Sequence, residues 1–159
     1  MNMEIFLPGL DKPVLVSEDK FGKVMDLVNI KFSLNNGGVI NFKTGYVAIS
    51  LSRYIINCPR NRCVDHKNHS QFDLTNENLR IATRSQNNAN RRKKPECSSK
   101  YKGVCWDSDR NKWVARINFR YKEIYLGSFG VEAMAAEAYN IAALKYFGEF
   151  AYLNIIEKE

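Results

Sequence analysis

The sequence predicts an α+β fold: a small antiparallel β scaffold, then a short strand–loop–strand–helix segment, then a three-stranded antiparallel sheet packed on one helix. Hydrophobic and polar side chains alternate with a two-residue period over residues 112–120, which is typical of a half-buried strand. Glycine-containing turns at residues 36–38 and 44–45 separate shorter alternating segments and predict antiparallel strands. An alanine-rich run over residues 132–147 predicts the helix.

Length and composition favour a folded protein inside the cell. The chain has 159 residues, 45% of them hydrophobic and 26% charged, which is enough for one ordinary domain or two small ones. Apolar runs stay well short of the roughly 20 residues that a membrane helix needs. Residues 1–8 are acidic and too poor in apolar side chains for a signal peptide. We therefore expect an intracellular protein that is not secreted and has no membrane partner.

The cysteines give little support to a structural metal site. Four cysteines in such a chain are read most simply as reduced thiols. Cys58, Cys63, His66 and His69 crudely resemble a zinc set, but four residues separate the cysteines and two separate the histidines. Zinc ligand pairs usually have about two to four and about three to five residues between them. Structural zinc is therefore disfavoured.

Positive charge is concentrated in one block of the sequence. The formal net charge is +7, and residues 84–102 alone hold seven basic side chains and one acidic side chain. Residues 103–122 add five basic and two acidic side chains, whereas residues 123–159 hold two basic and six acidic ones. A surface without a charged partner usually mixes both signs. The block therefore predicts a polyanionic partner, for which nucleic acid is the best fit.

Residues 1–57 are interpreted as a β-rich N-terminal scaffold. Ser17 precedes Glu18 and Asp19, so it can cap a short helix whose apolar side chains fall on one face. Strands are expected at residues 30–34, 39–42 and 46–51. This stretch carries no pattern that suggests chemistry.

Residues 58–94 form the second predicted segment, which is short and polar. Residues 79–82 are expected to form a strand, and Thr83 with Gln86 makes a capping-box pattern that begins a helix. The helix is expected to continue to about Lys93, because a proline at position 95 ends it. Residues 95–100 are then a linker.

Residues 101–159 are the predicted sheet-and-helix domain. Strands are expected within residues 101–106, 112–120 and 123–127, and the alanine-rich helix can lie close against one face of their sheet. We interpret this helix as packing rather than as a partner-binding stripe. The other face of the sheet is left bare, and it is expected to carry Val114, Arg116, Asn118, Arg120 and Tyr125.

Four polar residues supply the groups that phosphodiester hydrolysis needs. A neutral histidine, with an ordinary pKa of about 6.5, is a suitable general base, and His66 stands next to Asp65. A carboxylate and an amide oxygen suit Mg²⁺ or Mn²⁺, and Asn87 falls in the first turn of the predicted helix. The set predicts His66 as base, Asp65 and Asn87 as ligands of one divalent metal, and Asn78 as the residue that holds the base. Asn78 and Asn87 could instead simply cap a loop and a helix.

The spacing of these residues resembles a known nuclease family. Val64-Asp65-His66 is followed by NENLR at residues 76–80 and TRSQN at residues 83–87. Residues 58–92 thereby resemble an HNH endonuclease with the ββα-metal fold, of the kind found in homing endonucleases. The resemblance implies a metal on Asp65 and Asn87, a base at His66, and a loop tied by Asn78. His69 stands at a turn position that is often glycine in this family, and Ser52-Arg53 replaces a His-Arg pair often seen upstream.

The third segment resembles an APETALA2-type DNA-binding domain over Ser99 to Asn154. The matching pieces are YKGV, KWVARI, YLGSF, AAEAYNIAALKYFG and FAYLN. The resemblance implies that the three-stranded sheet lies in the DNA major groove, with Cys105 at a position where arginine is usual. The residues implied on the DNA face are Lys102, Arg116, Asn118 and Tyr125, and the bare face adds Arg120.

The two halves together predict a metal-dependent, site-specific endonuclease acting on double-stranded DNA as a monomer or a DNA-induced dimer. Backbone phosphates would be held by Arg84, Arg91, Arg92, Lys93 and Lys94, although cations also collect at helix C-termini for a smaller electrostatic gain. Two alternatives stay open. One is a non-catalytic, sequence-specific DNA-binding regulator, and the other is a nuclease or toxin with no preferred site.

Overall fold

The structure is a computed structural model that describes residues 1–27, 29–93 and 98–157. It has the predicted mixed α+β character with antiparallel sheets, and the chain divides into two compact units, Met1–Arg84 and Ser85–Glu159. The elements of the first unit are β1 (Asn2–Ile5), β2 (Val14–Ser17), α1 (Glu18–Met25), β3 (Phe32–Leu34), β4 (Ile40–Thr44), β5 (Val47–Ser50), α2 (Leu51–Ile55), β6 (Cys63–His66), β7 (Asp73–Leu74) and β8 (Leu79–Ala82).

In the described residues of the first unit, the strands form three sheets. Strands β3, β4 and β5 are antiparallel, as are β6 and β8, while β2 pairs antiparallel with β1 and parallel with β7. Residues from 1–57 and from 58–84 share one hydrophobic core, which includes Val16, Leu51 and Leu74. The predicted division between scaffold and nuclease segments therefore crosses a common core, and those domain boundaries stay a prediction.

Local differences from the sequence expectations occur in the scaffold. Strands β1 and β2 and the short helix α2 were not predicted. Ser17 does precede α1, but its hydroxyl makes no cap bond to that helix. The hydroxyl instead donates to Asn2 Oδ1 at 3.3 Å and accepts from the Asn76 backbone at 2.9 Å. Ser17 therefore links β2 to β1 and to the segment between β7 and β8 rather than capping a helix.

Helix α3 (Arg84–Ala89) follows β8 and is shorter than the predicted helix, which extended to Lys93. Its last residues are rich in asparagine, a poor helix former. The carbonyl of Ala89 accepts hydrogen bonds from Lys102 Nζ and from the Tyr152 backbone, which replace further helical bonding. The predicted contact residue Lys94 and residues 95–97 of the predicted linker lie outside the described residues.

The second unit contains the predicted sheet and helix. Its further elements are β9 (Val104–Asp107), β10 (Lys112–Phe119), β11 (Lys122–Phe129), α4 (Glu132–Phe147) and a 3₁₀ turn (Gly148–Phe150), and the strand order is β11-β10-β9. Buried alanines bring α4 close to the sheet, with Ala135 and Ala136 against Ala115. None of the helices in the described parts of the chain is long and apolar enough to cross a membrane.

A glycine allows a close approach between the segment before β9 and helix α4. Gly103 has φ +75°, and a Cβ at this position would lie 2.0 Å from Cδ2 of Tyr139 on α4 and 2.7 Å from the Arg116 carbonyl oxygen. Only glycine fits that space and that backbone conformation without rearrangement.

The alternation along β10 is less regular than the two-residue period predicts. A register shift between Ala115 and Arg116 interrupts the pairing with β11, so both Val114 and Ala115 are buried. The expectation that Val114 lies on the bare face is therefore wrong. Arg120 was also expected on a strand, but it lies with Tyr121 in the turn after β10, and both have positive φ.

Candidate active site and nucleic-acid interface

Asp65 sits on β6 directly opposite Arg80 on β8. Nε of Arg80 donates a 2.7 Å hydrogen bond to Oδ2 of Asp65, and both side chains are largely buried. A buried carboxylate is costly unless a charged or hydrogen-bonding group compensates it. Arg80 therefore compensates the buried carboxylate of Asp65 with a charged hydrogen bond, and the sequence motif had assigned it no role.

His66 is the next residue of β6 and is only 7% exposed. Its Nδ1 lies 3.4 Å from Nε2 of Gln71. Burial lowers the pKa of His66 below its ordinary value of 6.5, and this outweighs the charges of Asp65 and Asp73, which raise it. The imidazole is thus favoured in its neutral form near pH 7, which is the form that can accept a proton.

Asn78 ties the loop between β6 and β8. Its Oδ1 accepts from the Asn68 backbone N–H at 2.9 Å, and its Nδ2 donates to the Asp73 carbonyl at 2.7 Å. The loop that these bonds close contains Gln71, the neighbour of His66. The structure therefore brings Asp65, His66 and Asn78 together in the first unit, and Asn78 acts on His66 through the loop rather than by touching it.

The N-terminal strands anchor the segment that leads to Asn78. The Asn76 amide donates to Asp19 Oδ1 at 2.8 Å, and its backbone N–H donates to Ser17 Oγ at 2.9 Å. Asn2 Nδ2 donates to Glu77 Oε2 at 3.2 Å. Residues 1–57 thus hold the NENLR segment in place, a role that only the tertiary contacts reveal.

Arg53 organises the approach to β6. Its guanidinium donates to the carbonyls of Arg62 at 2.7 Å and Pro59 at 2.8 Å. Ser52 therefore replaces the histidine of the family pattern, while the arginine is retained as Arg53. Arg53 holds the backbone of the segment just before the Asp65-His66 pair. Near it, Cys58 and Cys63 carry free thiols, as does Cys105 in the second unit.

The implied metal fits the residues by donor chemistry. Asp65 offers a carboxylate, and Asn87 on α3 offers an amide oxygen, which are oxygen ligands of the kind Mg²⁺ and Mn²⁺ accept alongside several waters. Among residues 1–27, 29–93 and 98–157, no group of three or more His, Cys, Asp or Glu side chains is arranged to hold a metal ion. Asn87 belongs to the second unit and Asp65 to the first, so their joint metal site stays a prediction.

The outer face of the second unit's sheet carries exposed polar side chains. Arg116 and Tyr125 are direct cross-strand partners on β10 and β11, and Tyr125 is 53% exposed. Nη1 of Arg116 donates to Glu123 Oε1 at 3.1 Å, and Asn118 is exposed beside them. Arg110, which the sequence did not single out, lines an open depression of about 430 Å³ with Arg116, Glu123 and Tyr125.

Lys102 departs from its expected place on this face. Its Nζ donates to the carbonyls of Ala89 at 2.5 Å and Arg91 at 2.7 Å. Burial, helped by the charge of Arg91, lowers the pKa of Lys102 to about 8.

Of the predicted phosphate contacts, Arg84, Arg91 and Arg92 are exposed, and Lys93 is half-buried.

Comparison with known proteins matches a family model to part of the second unit and finds relatives that cover part of the chain. A family model described as the AP2 domain matches residues 99–149. The AP2-like ethylene-responsive transcription factor ANT of Arabidopsis thaliana is 35% identical over 97 residues, covering 54% of this chain and 18% of that protein. An uncharacterised HNH endonuclease of Acanthamoeba polyphaga mimivirus is 36% identical over 99 residues, covering 62% of this chain and 50% of that protein.

A rice protein with AP2/ERF and B3 domains, from Oryza sativa subsp. japonica, is 44% identical over 57 residues, covering 36% of this chain and 15% of that protein. The chain therefore spans half or less of the length of these relatives. No solved structure matches the chain. The family match coincides with the three strands and the buried-alanine helix of the second unit, and residues 99–149 are accordingly an AP2 domain.

Proposed function

We propose that this chain binds double-stranded DNA and that its AP2 domain selects the sequence. The observation that carries the proposal is the open polar face of Arg116, Asn118 and Tyr125 on a sheet whose other face is closed by α4. The AP2 match and the relatives named as transcription factors support it, as does the net charge of +7.

The side chains on this face suit the edges of bases. Arginine pairs well with guanine and asparagine with adenine in the major groove, so Arg116 and Asn118 would supply direct contacts. Glu123 already orients the Arg116 guanidinium through its 3.1 Å bond. The exposed cations Arg91 and Arg92 would hold phosphates without reading sequence.

Selection from a random double-stranded DNA library tests this function. The wild-type protein should enrich one motif, and Arg116→Ala should relax the preference at one or two positions, at a loss of about 1–3 kcal/mol on the target. The exposed Lys112 on the same strand gives the matched control, since Lys112→Ala should keep the motif. Enrichment of no motif by the wild type would refute sequence-selective binding.

A second candidate function is metal-dependent endonuclease activity. It is favoured by the buried, neutral His66 beside Asp65 in a loop closed by Asn78, and by the similarity to a viral protein named as an HNH endonuclease. In this function His66 takes a proton from the water that attacks phosphorus. Gln71 contacts the imidazole, Asn78 ties the loop that carries Gln71, and Arg80 bonds to the carboxylate of Asp65. A divalent metal, when bound by Asp65 and Asn87, would offset charge on the phosphorane and the departing 3′ oxygen.

Cleavage of a DNA library in Mg²⁺ or Mn²⁺, and again with chelator, separates the two functions. The nuclease predicts discrete cuts that disappear with chelator and with His66→Ala, while DNA binding persists in both cases. If wild type and variant bind DNA equally and neither cuts in either metal, the chain is a non-catalytic regulator. Uniform degradation of unrelated sequences would indicate a nuclease without a preferred site. Sedimentation with and without target DNA distinguishes a monomer from a DNA-induced dimer.

A further inference from the structure

The ammonium of Lys102 is committed to the protein's own backbone. It donates to the carbonyl of Ala89, the last residue of α3, and to that of Arg91, two residues later. Ala89 and Arg91 both precede the AP2 match, which begins at residue 99. One side chain of the AP2 domain therefore holds the end of a helix that lies outside that domain in sequence.

The backbone of Lys102 is itself fixed from both sides. Asn154 accepts from the Lys102 N–H at 2.7 Å and donates to the Lys102 carbonyl at 3.0 Å. Asn140 on α4 forms the same kind of two-way pair with the Asn154 backbone, at 2.8 and 2.9 Å. The backbone from which the Lys102 side chain extends is thus bonded to the C-terminal segment and, through it, to α4.

A second contact reinforces the attachment. The Tyr152 backbone N–H donates to the Ala89 carbonyl at 3.3 Å, and the Lys102 ammonium lies 5.5 Å from the centre of the Tyr152 ring. A cation at this distance from an aromatic face gains a further attraction. Ala89 is accordingly held by two parts of the second unit that are far apart in sequence.

We propose that Lys102 is a positioning residue that fastens the end of α3 to the AP2 domain. Asn87 and the basic residues Arg91 and Arg92 then move together with that domain. An ammonium has three donors, and two are used here, which leaves little for a DNA phosphate. The attachment is a property of the free protein. Its consequence for DNA binding rests on the proposed function. If the AP2 domain binds a target sequence, it would fix the positions of the phosphate contacts and of the helix carrying Asn87 along the duplex.

Amide hydrogen exchange in the absence of DNA and metal tests the attachment. Lys102→Met removes the donors and keeps the aliphatic length, so exchange at Asn90 and Arg91 should accelerate by about tenfold or more, while the β10 amides keep their rates. Lys112→Met, an exposed lysine on β10, should change neither region. Unchanged exchange at Asn90 and Arg91 in the Lys102 variant overturns the proposal.

A second measurement uses the wild-type protein, and it tests the attachment even if Lys102→Met unfolds the whole unit. Nitrogen-15 spectra of the lysine ammonium groups should show one slowly exchanging signal, coupled through hydrogen bonds to the carbonyl carbons of Ala89 and Arg91. An averaged, rapidly exchanging Lys102 signal without such coupling overturns the proposal. Neither measurement uses DNA, so failure of the proposed function would show in the binding selection alone and failure of the attachment in these spectra alone.

Discussion

Arg80 and Asp65 face each other across the β6–β8 pair, and Nε of Arg80 lies 2.7 Å from Oδ2 of Asp65. The candidate metal ligand is therefore already half of a buried ion pair. A cation that binds Asp65 has to share a carboxylate whose charge an arginine offsets. The arginine compensates the buried carboxylate when no metal is bound, and it would lower the free energy that a bound metal gains at Asp65.

Replacing Arg80 with methionine should show how much the arginine stabilises the first unit and whether a metal can take its place at Asp65. Removal of one partner from a buried ion pair typically costs about 3–5 kcal/mol. The free energy of unfolding of the first unit, measured with urea, should therefore fall by an amount of that order. Millimolar Mn²⁺ should restore part of the loss, because the metal would supply the missing positive charge. Arg62→Met removes an exposed guanidinium nearby and should be close to neutral. Equal destabilisation with and without Mn²⁺ would argue against a metal on Asp65.

Asn78→Ala should loosen the loop without altering the strands that flank it. Asn78 is buried, and both polar atoms of its amide bond to backbone groups of the loop in part-buried hydrogen bonds. Each group left unsatisfied costs about 1–3 kcal/mol. Hydrogen exchange at the Asn68 amide should rise sharply, whereas Asn61→Ala at an exposed position should leave it unchanged. If the Asn68 amide stays protected in Asn78→Ala, the loop is held by other contacts.

His66 should make the first unit sensitive to mild acid. Burial depresses the folded-state pKa of His66 below 6.5, so its stabilising contribution is complete above pH 6.5 and is lost as the pH falls through the folded pKa. Between about pH 7.5 and pH 5, the free energy of unfolding should therefore fall more in the wild type than in His66→Gln. Urea titrations across this range measure the difference, and His69 is common to both proteins. Parallel curves would contradict a depressed pKa.

The exposed pair Arg91 and Arg92 should contribute affinity without specificity. Changing both to alanine should lower the slope of log affinity against log salt by about 0.9 per lost phosphate contact, and about 1.8 for two. Target and random DNA should lose affinity alike, as measured by fluorescence anisotropy over a range of salt concentrations. Lys145→Ala provides the control, because Lys145 is exposed on α4, behind the sheet. A loss confined to the target would instead make these arginines base contacts.

Gly103→Ala should destabilise the AP2 domain severely. The substitution adds a left-handed backbone penalty of about 1–3 kcal/mol and an overpacking penalty of about 1–3 kcal/mol, since the new Cβ would meet the Tyr139 ring at 2.0 Å. Thermal unfolding followed by tryptophan fluorescence reports on this unit, which contains Trp106 and Trp113. Gly130→Ala is the matched control, because a Cβ there meets nothing within 4 Å.

Periodic segments of the AP2 domain were predictable from sequence. The helix limits Glu132 and Phe147 are those expected from the alanine-rich run, and β10 and β11 lie within a residue or two of their expected positions. Such segments are long, and their pattern is set by burial on one face. Val114 and Arg120 were misplaced because a register shift and a two-residue turn depend on cross-strand geometry rather than on local pattern.

The function of the candidate site stays a prediction, and the sequence indicated its residues but not the contacts that hold them in place. Asp65, His66 and Asn78 were identified by spacing, whereas Arg80 and Gln71 became visible only through the 2.7 and 3.4 Å contacts that they make. Lys102 was expected on the DNA face because the resemblance to an APETALA2-type domain implied it by position. A long flexible side chain can reach several partners, and the nearest carbonyls in the folded chain decide among them.

The parallel pairing of β2 with β7 has a consequence for how the chain folds. This pairing, with the Asn76–Ser17 hydrogen bond across 59 positions, anchors the loop that contains Gln71, the neighbour of His66. Contacts between residues so distant in sequence require a large loss of chain entropy before they bring stabilisation, and they form slowly compared with local turns. The β6–β8 strand pair can form early, but the arrangement around His66 is complete only when the N-terminal strands have docked. During refolding, the protected state of this loop should therefore appear among the last events of the first unit.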